Sequence, residues 1–255
     1  GGKRTLLVPA RNFPVEVLFL RDDDIPESVA SGVADVGIVG LNEVMEKRCP
    51  VGILKKLGFG KCRLSLAIPQ NIDYQDRNWF SGKKIATSYP GILSDYLHKN
   101  GIVSDIHVIT GSVEIAPGIR LADAIFDIVS SGSTLVSNRL KEVETVVESE
   151  AVLIGTDSIS PEKRGILDEL LFRFDSVQAA DDKKYILMNV PQKKLNDVLS
   201  VLPGIKSPTV MPLADKEWCS VHTVLDEKCF WEIINRLKTA GAEGILVLDI
   251  EKMIL

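Results

Sequence analysis

VEVLFLRDDDIPESVASGVADVGIVG, residues 15–40, is the stretch that decides the fold. It begins with a β-rich run, 15–20, and continues into three aspartates followed by Pro26. That sequence is typical of a helix start, because aspartate accepts backbone N–H groups and proline lacks one. A second apolar run, 34–40, then closes on glycine. Strand, short helix and strand in this rhythm indicate an α/β protein with a parallel sheet.

The composition of the chain is that of an ordinary globular protein. Its 255 residues predict two or three units, and 45% hydrophobic with 25% charged residues excludes a disordered or fibrous protein. A net charge of −5 gives no general attraction to nucleic acid or to an anionic membrane. A phosphate-bearing ligand would therefore need a local binding site.

The cysteines and histidines carry no metal-binding pattern. The four cysteines show no Cys-x-x-Cys spacing and the three histidines are scattered, which argues against structural zinc. Few, irregularly spaced cysteines indicate a reducing cytoplasm. No run approaches the roughly 18 apolar residues of a membrane helix, and no secretory signal is recognisable. The predicted location is cytoplasmic.

The α/β alternation continues and divides the chain into three predicted parts. A strand-like run, 62–69, leads to a polar stretch that indicates a crossing into a second lobe. We therefore expect a first lobe of residues 1–68 and 150–180 and a second lobe of 69–149, with a ligand cleft where the lobes meet. Residues 181–255 follow the order β-α-β-β-α-β of a ferredoxin-like module, which we expect to sense a small metabolite.

The segment 127–135, Asp-Ile-Val-Ser-Ser-Gly-Ser-Thr-Leu, is the strongest candidate site. Small residues after a strand allow backbone N–H groups to converge on an anion, and a following helix start adds positive charge. The acid before them suits sugar hydroxyls. On local composition alone, a phosphate site and a serine-rich surface turn both remain open.

Several segments together resemble the ATP phosphoribosyltransferase family. The matching segments, which cover almost the whole chain in order, are 21–26, 62–67, 86–90, 111–114 and 122–135, with 207–213 and 245–253 resembling the regulatory domain of the long form. The resemblance implies a two-lobed core like the type II periplasmic binding proteins and a ferredoxin-like regulatory domain. It also implies the first step of histidine biosynthesis, in which phosphoribosyl pyrophosphate passes its ribosyl phosphate to N1 of ATP and pyrophosphate leaves. Histidine is the implied feedback inhibitor.

The family resemblance implies roles for the loop residues and for the metal. Asp127 and Thr134 are the implied catalytic residues, and the loop that holds the phosphoribosyl group comprises Asp127, Ser130, Ser131, Gly132, Ser133 and Thr134. Catalysis then rests on alignment and on charge compensation for the leaving group. Mg²⁺ is expected on the pyrophosphate oxygens, without a dedicated protein site.

Two further sets of contacts are implied, each with an alternative. The nucleotide set is Arg21, Asp24, Arg63, Ser88, Tyr89 and Glu114. Arg21 and Asp24 could instead serve a helix start, Arg63 could pair with an internal carboxylate, Tyr89 could be a core residue and Glu114 could be a cap. The histidine set is Asn189, Ile205, Ser207, Thr209, Val224 and Gly244, with Asn189 standing where some relatives carry an acid. A homo-oligomer, a hexamer in equilibrium with dimers, is also implied.

The sequence departs from the family at its start. The strand, lysine- and glycine-containing loop and helix that begin the family have no counterpart before residues 1–4. We expect a segment outside this sequence rather than a true loss, because losing a first strand would expose sheet edges. Two other functions stay open, a non-catalytic solute-binding protein and a histidine-binding regulatory subunit. The intact loop 127–135 speaks against both.

Overall fold

A computed structural model describes residues 6–203 and 208–254 of the chain. The chain divides into two compact units, Gly1–Arg164 and Gly165–Leu255. The division falls inside a helix, α5 (Pro161–Ala180), which the sequence analysis had placed wholly in the first lobe. The second compact unit begins at Gly165, whereas the ferredoxin-like module was expected to begin at residue 181.

The first unit contains ten strands and four complete helices among its described residues. The strands are β1 (Leu7–Pro9), β2 (Glu16–Leu18), β3 (Val36–Gly40), β4 (Gly52–Lys56), β5 (Cys62–Pro69), β6 (Lys84–Thr87), β7 (Asp105–Val108), β8 (Ala124–Val129), β9 (Leu140–Ser149) and β10 (Ala151–Gly155). The helices are α1 (Ile25–Ala30), α2 (Leu41–Lys47), α3 (Pro90–Lys99) and α4 (Ser133–Ser137). They confirm the predicted α/β class.

The strands of this unit form three sheets. β1 and β2 make a hairpin, β3-β10-β4 make a three-stranded sheet, and β7-β6-β8-β5-β9 make a five-stranded sheet. We call the three-stranded sheet with α1 and α2 the first lobe, and the five-stranded sheet with α3 and α4 the second lobe. The chain passes between the lobes twice, after β4 and after β9.

The expected parallel pairing of the first strands is wrong. β2 pairs antiparallel with β1, and β10 pairs antiparallel with both β3 and β4. An antiparallel pair needs only a short connection, so β1 and β2 can form a local hairpin without a crossover helix. In the described chain, parallel pairs occur where β6 meets β7 and β8.

Strand β5 lies in a different lobe from the one expected. Residues 62–68 were expected in the first lobe, but β5 is an interior strand of the five-stranded sheet between β8 and β9. Buried Leu64, Leu66 and Phe126 on this sheet pack with α3 in the main core of the unit. Burial on both faces explains why β5 is an almost continuous apolar run.

The N-terminus of helix α3 is capped by a carboxylate from the first lobe. Its N-terminal neighbour, Tyr89, makes no side-chain capping bond. Instead the N–H groups of Gly91 and Ile92 donate to the two carboxylate oxygens of Glu46 on α2, at 2.8 and 2.9 Å. An acid at a helix N-terminus satisfies free donors and complements the positive end of the helix dipole.

Among its described residues, the second unit contains the later part of α5 and a four-stranded antiparallel sheet with two helices, α6 and α7, packed on one face. Its elements are β11 (Lys183–Pro191), α6 (Leu195–Val201), β12 (Thr209–Pro212), β13 (Trp218–Asp226), α7 (Glu227–Ala240) and β14 (Glu243–Asp249). The strand order β12-β13-β11-β14 and the order βαββαβ confirm the ferredoxin-like prediction. Ile186, Met188 and Val190 on β11 are buried with Phe230 and Leu237 of α7.

No helix in the described part of the chain, 6–203 and 208–254, is long and apolar enough to cross a membrane.

Candidate active site

The segment 127–135 forms a strand end, a tight turn and a short helix. β8 ends at Val129, the backbone turns at 130–132, and α4 begins at Ser133. Gly132 has φ 80°, in the left-handed region that glycine enters without a Cβ penalty. The turn thus requires the glycine, and it directs the serine-rich backbone away from the strand. We call residues 130–134 the small-residue loop.

A cavity of about 130 Å³ opens beside this loop. Four aliphatic side chains form part of its wall, and its polar lining consists of Glu114, Asp127, Ser130, Ser131, Gly132 and Thr134. Ser133 does not line the cavity; its hydroxyl oxygen lies 3.0 Å from that of Ser131. The cavity therefore brings five of the six predicted loop residues, all except Ser133, together with one predicted nucleotide contact, Glu114.

Asp127 is the half-buried acid of this cavity. Burial raises the pKa of its carboxyl, the N–H of Ile128 donating at 2.8 Å lowers it, and the negative charge of Glu114 raises it further. Its carboxylate has few donors of its own, so hydroxyl groups of a ligand would stabilise its charged form. Asp127 is also cross-strand from Ser65 on β5, so the two residues share one face of the sheet.

Arg63 points into a local network and does not line the cavity. Its guanidinium contacts the Glu142 carboxylate through Nε at 2.6 Å and Nη2 at 2.5 Å, and its Nη1 donates to the Ser130 carbonyl at 3.1 Å. Of the two alternatives for Arg63, the structure has the internal ion pair. Sequence reasoning did not identify Glu142, because an alternating exposed strand such as β9 gives no sign of its partner.

Tyr89 is a core residue that joins the two lobes. It is 8% exposed, and its hydroxyl donates to Glu43 at 2.8 Å. Asn42 donates to the same Glu43 oxygen at 3.0 Å and accepts from the Ser149 hydroxyl at 2.8 Å. Burial, followed by the bond to Glu43, raises the pKa of Tyr89, so its phenol stays protonated. The ring is therefore placed for packing rather than for stacking on a base.

The remaining nucleotide candidates lie apart from the cavity. Ser88 donates its hydroxyl to the Ile109 carbonyl at 2.8 Å. Arg21 and Asp24 are exposed at the start of α1 and do not line the cavity. Asp24 stands at the N-terminus of α1, as its sequence pattern predicted. Its side chain does not form the capping hydrogen bond that the prediction assumed.

The histidine candidates of the second unit gather on the open face of its sheet. Strand register places Asn189 opposite Ser220, and Thr209 opposite His222, so all four side chains share the face away from the helices. Val224 lies on the same face, two residues beyond His222. Ile205 and Ser207 lie outside the described residues.

Gly244 completes this group at a bulge in β14. The register between β11 and β14 shifts between Leu187 and Asn189, and Gly244 has φ 56°. A Cβ at Gly244 would lie 3.3 Å from the Asn189 amide nitrogen. The absence of a Cβ at Gly244 thus leaves room next to the Asn189 side chain.

A hydrogen-bonded row on the same face was missed. The His222 ring accepts or donates at both nitrogens, with the Tyr185 hydroxyl 2.6 Å from Nδ1 and the Ser220 hydroxyl 2.9 Å from Nε2. The period-two spacing of Ser220 and His222 was the available signal, since alternate residues of a strand share a face.

No cluster of three or more potential metal ligands is present among the residues that the structure describes.

Comparison with known proteins identifies close relatives. Residues 21–176 match the family model described as HisG, ATP phosphoribosyltransferase, and residues 180–252 match that of the HisG C-terminal domain. Curated ATP phosphoribosyltransferases of Bacteroides fragilis and Phocaeicola vulgatus are each 70% identical over 253 residues, covering 99% of this chain and 89% of either relative. A solved ATP phosphoribosyl transferase (HisG:HisZ) complex from Thermotoga maritima matches with TM-score 0.58 and 25% identity, over 67% of this chain and 82% of that one.

Proposed function

Because the chain belongs to the ATP phosphoribosyltransferase family and carries out the first step of histidine biosynthesis, we propose that the cavity beside the small-residue loop holds the ribosyl phosphate of phosphoribosyl pyrophosphate. The observation that carries this proposal is the shared lining of that cavity by Asp127, Glu114 and the loop. Small residues permit close backbone approach to a phosphate, and the adjacent acid suits ribose hydroxyls.

The proposed reaction needs alignment more than covalent help. Adenine N1 of ATP uses its own lone pair to form the bond to ribose C1, while the bond from C1 to pyrophosphate breaks. Asp127 and Thr134 would hold the ribosyl group so that attacking and leaving groups lie in line. Ionised Asp127 lies next to the ribose, where it also favours positive charge developing at C1.

Mg²⁺ is proposed to bind together with the substrate, on its pyrophosphate oxygens. It would supply positive charge to the departing pyrophosphate oxygens while keeping several of its waters. Glu114 and Asp127 are the two acids of the cavity, and they are the residues that would accept hydrogen bonds from those waters.

The function is tested by measuring pyrophosphate release with ATP, phosphoribosyl pyrophosphate and Mg²⁺, each omitted in turn, with and without histidine. Release that requires all three and falls with histidine is the expected result. Histidine binding without pyrophosphate release would instead indicate a regulatory subunit. The absence of both histidine binding and pyrophosphate release would indicate a solute-binding protein.

We further propose that histidine inhibits by binding the open sheet face of the second unit. Asn189 and Thr209 offer polar groups, Gly244 leaves space, and the row of Tyr185, His222 and Ser220 adds donors and acceptors beside them. A zwitterionic amino acid needs such a mixed set, because each buried charge must find a partner.

Thr209→Ala is expected to weaken inhibition by histidine roughly tenfold while leaving kcat unchanged, because one hydrogen bond to the ligand is lost. Inhibition curves at fixed substrate concentrations measure this. Thr239→Ala is the matched control, since Thr239 lies on α7 and its hydroxyl donates to the Asn235 carbonyl of the same helix. Equal inhibition of Thr209→Ala and the parent protein would remove Thr209 from the site.

Two coarser properties complete the proposal. Leu246, Leu248 and Met211 are about half exposed on the open face of the second unit, and an apolar surface of this kind supports self-association into the expected dimers and hexamers. Light scattering across protein concentrations tests this self-association.

The cysteines concern the proposed location of the protein. All four cysteines are free, which fits the proposed reducing cytoplasm.

A further inference from the structure

Arg63 connects strand β9 to the small-residue loop. Two of its nitrogens hold the Glu142 carboxylate side by side, and the third, Nη1, reaches the Ser130 carbonyl at 3.1 Å. The planar guanidinium presents its donors in a fixed fork, so fixing one side of the fork orients the other. Glu142 thereby determines where Nη1 points.

The Ser130 carbonyl is the first acceptor of the loop, directly after β8 ends. In a trans peptide the C=O of Ser130 and the N–H of Ser131 point in opposite directions. Holding the carbonyl against Arg63 therefore turns the Ser131 N–H to the opposite side of the chain. Backbone N–H groups of small-residue turns are donors to bound phosphate, so this one contact orients a potential ligand donor.

Glu142 is itself held rigidly. Its Oε1 accepts from the Ser65 hydroxyl at 2.7 Å and from the Thr145 hydroxyl at 3.1 Å. The bond from Arg63 is the main reason that the pKa of Glu142 lies at about 2, and the bonds from Ser65 and Thr145 add to it against the opposing effect of burial. The carboxylate therefore stays charged at every pH at which the protein would be assayed. Ser65 also faces Asp127 across the sheet, which places this network next to the cavity.

We infer that Glu142 is a positioning residue for phosphoribosyl pyrophosphate, acting through Arg63 on the backbone of the small-residue loop. The inference rests on the proposed binding of the ribosyl phosphate at that loop. Neither Arg63 nor Glu142 lines the cavity, so the proposal gives neither of them a direct contact with the ribosyl phosphate. Their effect is to preorganise the donors that make that contact, and preorganisation lowers the cost of binding.

Glu142→Gln tests the inference. Glutamine keeps the size of the side chain and removes its charge, so the guanidinium loses its bidentate partner. We expect the KM and the directly measured Kd for phosphoribosyl pyrophosphate to rise roughly three- to tenfold, with kcat and the KM for ATP within about twofold. Arg63→Lys should give the same pattern, because an ammonium cannot replace the fork.

A double variant and a matched control separate positioning from general stability. Glu142→Gln and Arg63→Lys break one chain of contacts, so their effects in the double variant should be less than additive. Glu144→Gln is the control: Glu144 lies on the same strand, and it accepts from the hydroxyls of Tyr74 at 2.7 Å and Tyr96 at 3.5 Å, both outside the loop. It should leave the KM for phosphoribosyl pyrophosphate unchanged.

Equal increases in this KM for Glu142→Gln and Glu144→Gln, or a lowered Tm without any change in KM, would overturn the inference and leave a structural ion pair. If Asp127→Asn weakens phosphoribosyl pyrophosphate binding while Glu142→Gln does not, the inference fails and the proposed function stands. Turnover of the parent protein that is independent of phosphoribosyl pyrophosphate would overturn the proposed function itself.

Discussion

Asp127→Asn is expected to lower kcat/KM for phosphoribosyl pyrophosphate roughly 10- to 100-fold. Asparagine keeps the shape of the side chain and can still accept from the Ile128 N–H, but it has lost the charge. A hydrogen bond to a charged group contributes about 1.5–3 kcal/mol, and each 1.36 kcal/mol corresponds to a factor of ten in rate. Steady-state kinetics with varied phosphoribosyl pyrophosphate measure the change.

The pH dependence of activity provides a second test of the role of Asp127. Burial, followed by the charge of Glu114, raises the pKa of its carboxyl above the ordinary 3.8 despite the bond from Ile128. Activity that requires the ionised form is therefore lost as pH falls through the raised pKa, and this acid limb should disappear in Asp127→Asn. Asp105→Asn, which changes an exposed acid on β7 of the same sheet, is the control. An unchanged kcat/KM in Asp127→Asn would remove Asp127 from the mechanism.

Tyr89→Phe is expected to lower the free energy of unfolding by about 1–3 kcal/mol, because buried Glu43 and Asn42 would lose a hydrogen-bond partner. Glu43 is 9% exposed, and burial already raises its pKa, so it has little water to replace the phenol. Urea unfolding of the complete chain measures the loss.

The control for this change is Tyr96→Phe. The Tyr96 hydroxyl lies 3.5 Å from Glu144, a longer contact that stays within the second lobe. A much smaller effect is expected there. Equal destabilisation by both substitutions would show that the bond between the lobes at Tyr89 contributes nothing beyond an ordinary tyrosine hydroxyl.

Local signals were sufficient for much of the fold. The strand, turn and helix signals of residues 181–255 each act within a few residues, and they were sufficient to predict the order β-α-β-β-α-β that the structure has. The small-residue loop was found for the same reason. Its turn depends on Gly132 and its neighbours, with no distant partner required.

Features that depend on distant residues were not predictable in the same way. Arg63 and Glu142 are 79 positions apart, and Tyr89 and Glu43 are 46 apart. An arginine on a strand looks the same whether it faces a ligand or an internal acid, so only the folded register distinguishes the two. The antiparallel pairing of β10 with β3 and β4, which come much earlier in the chain, is a difference of this kind.

The cap that Glu46 forms on α3 limits how the chain can be divided into stable fragments. The first N–H groups of a helix are usually capped by a residue next to the helix in the chain. Those of α3 instead donate to Glu46, more than 40 residues earlier. A fragment that contains only the five-stranded sheet and its helices would begin α3 with two unsatisfied amide donors. A domain exchange with a relative would therefore have to carry α2 and the start of α3 together.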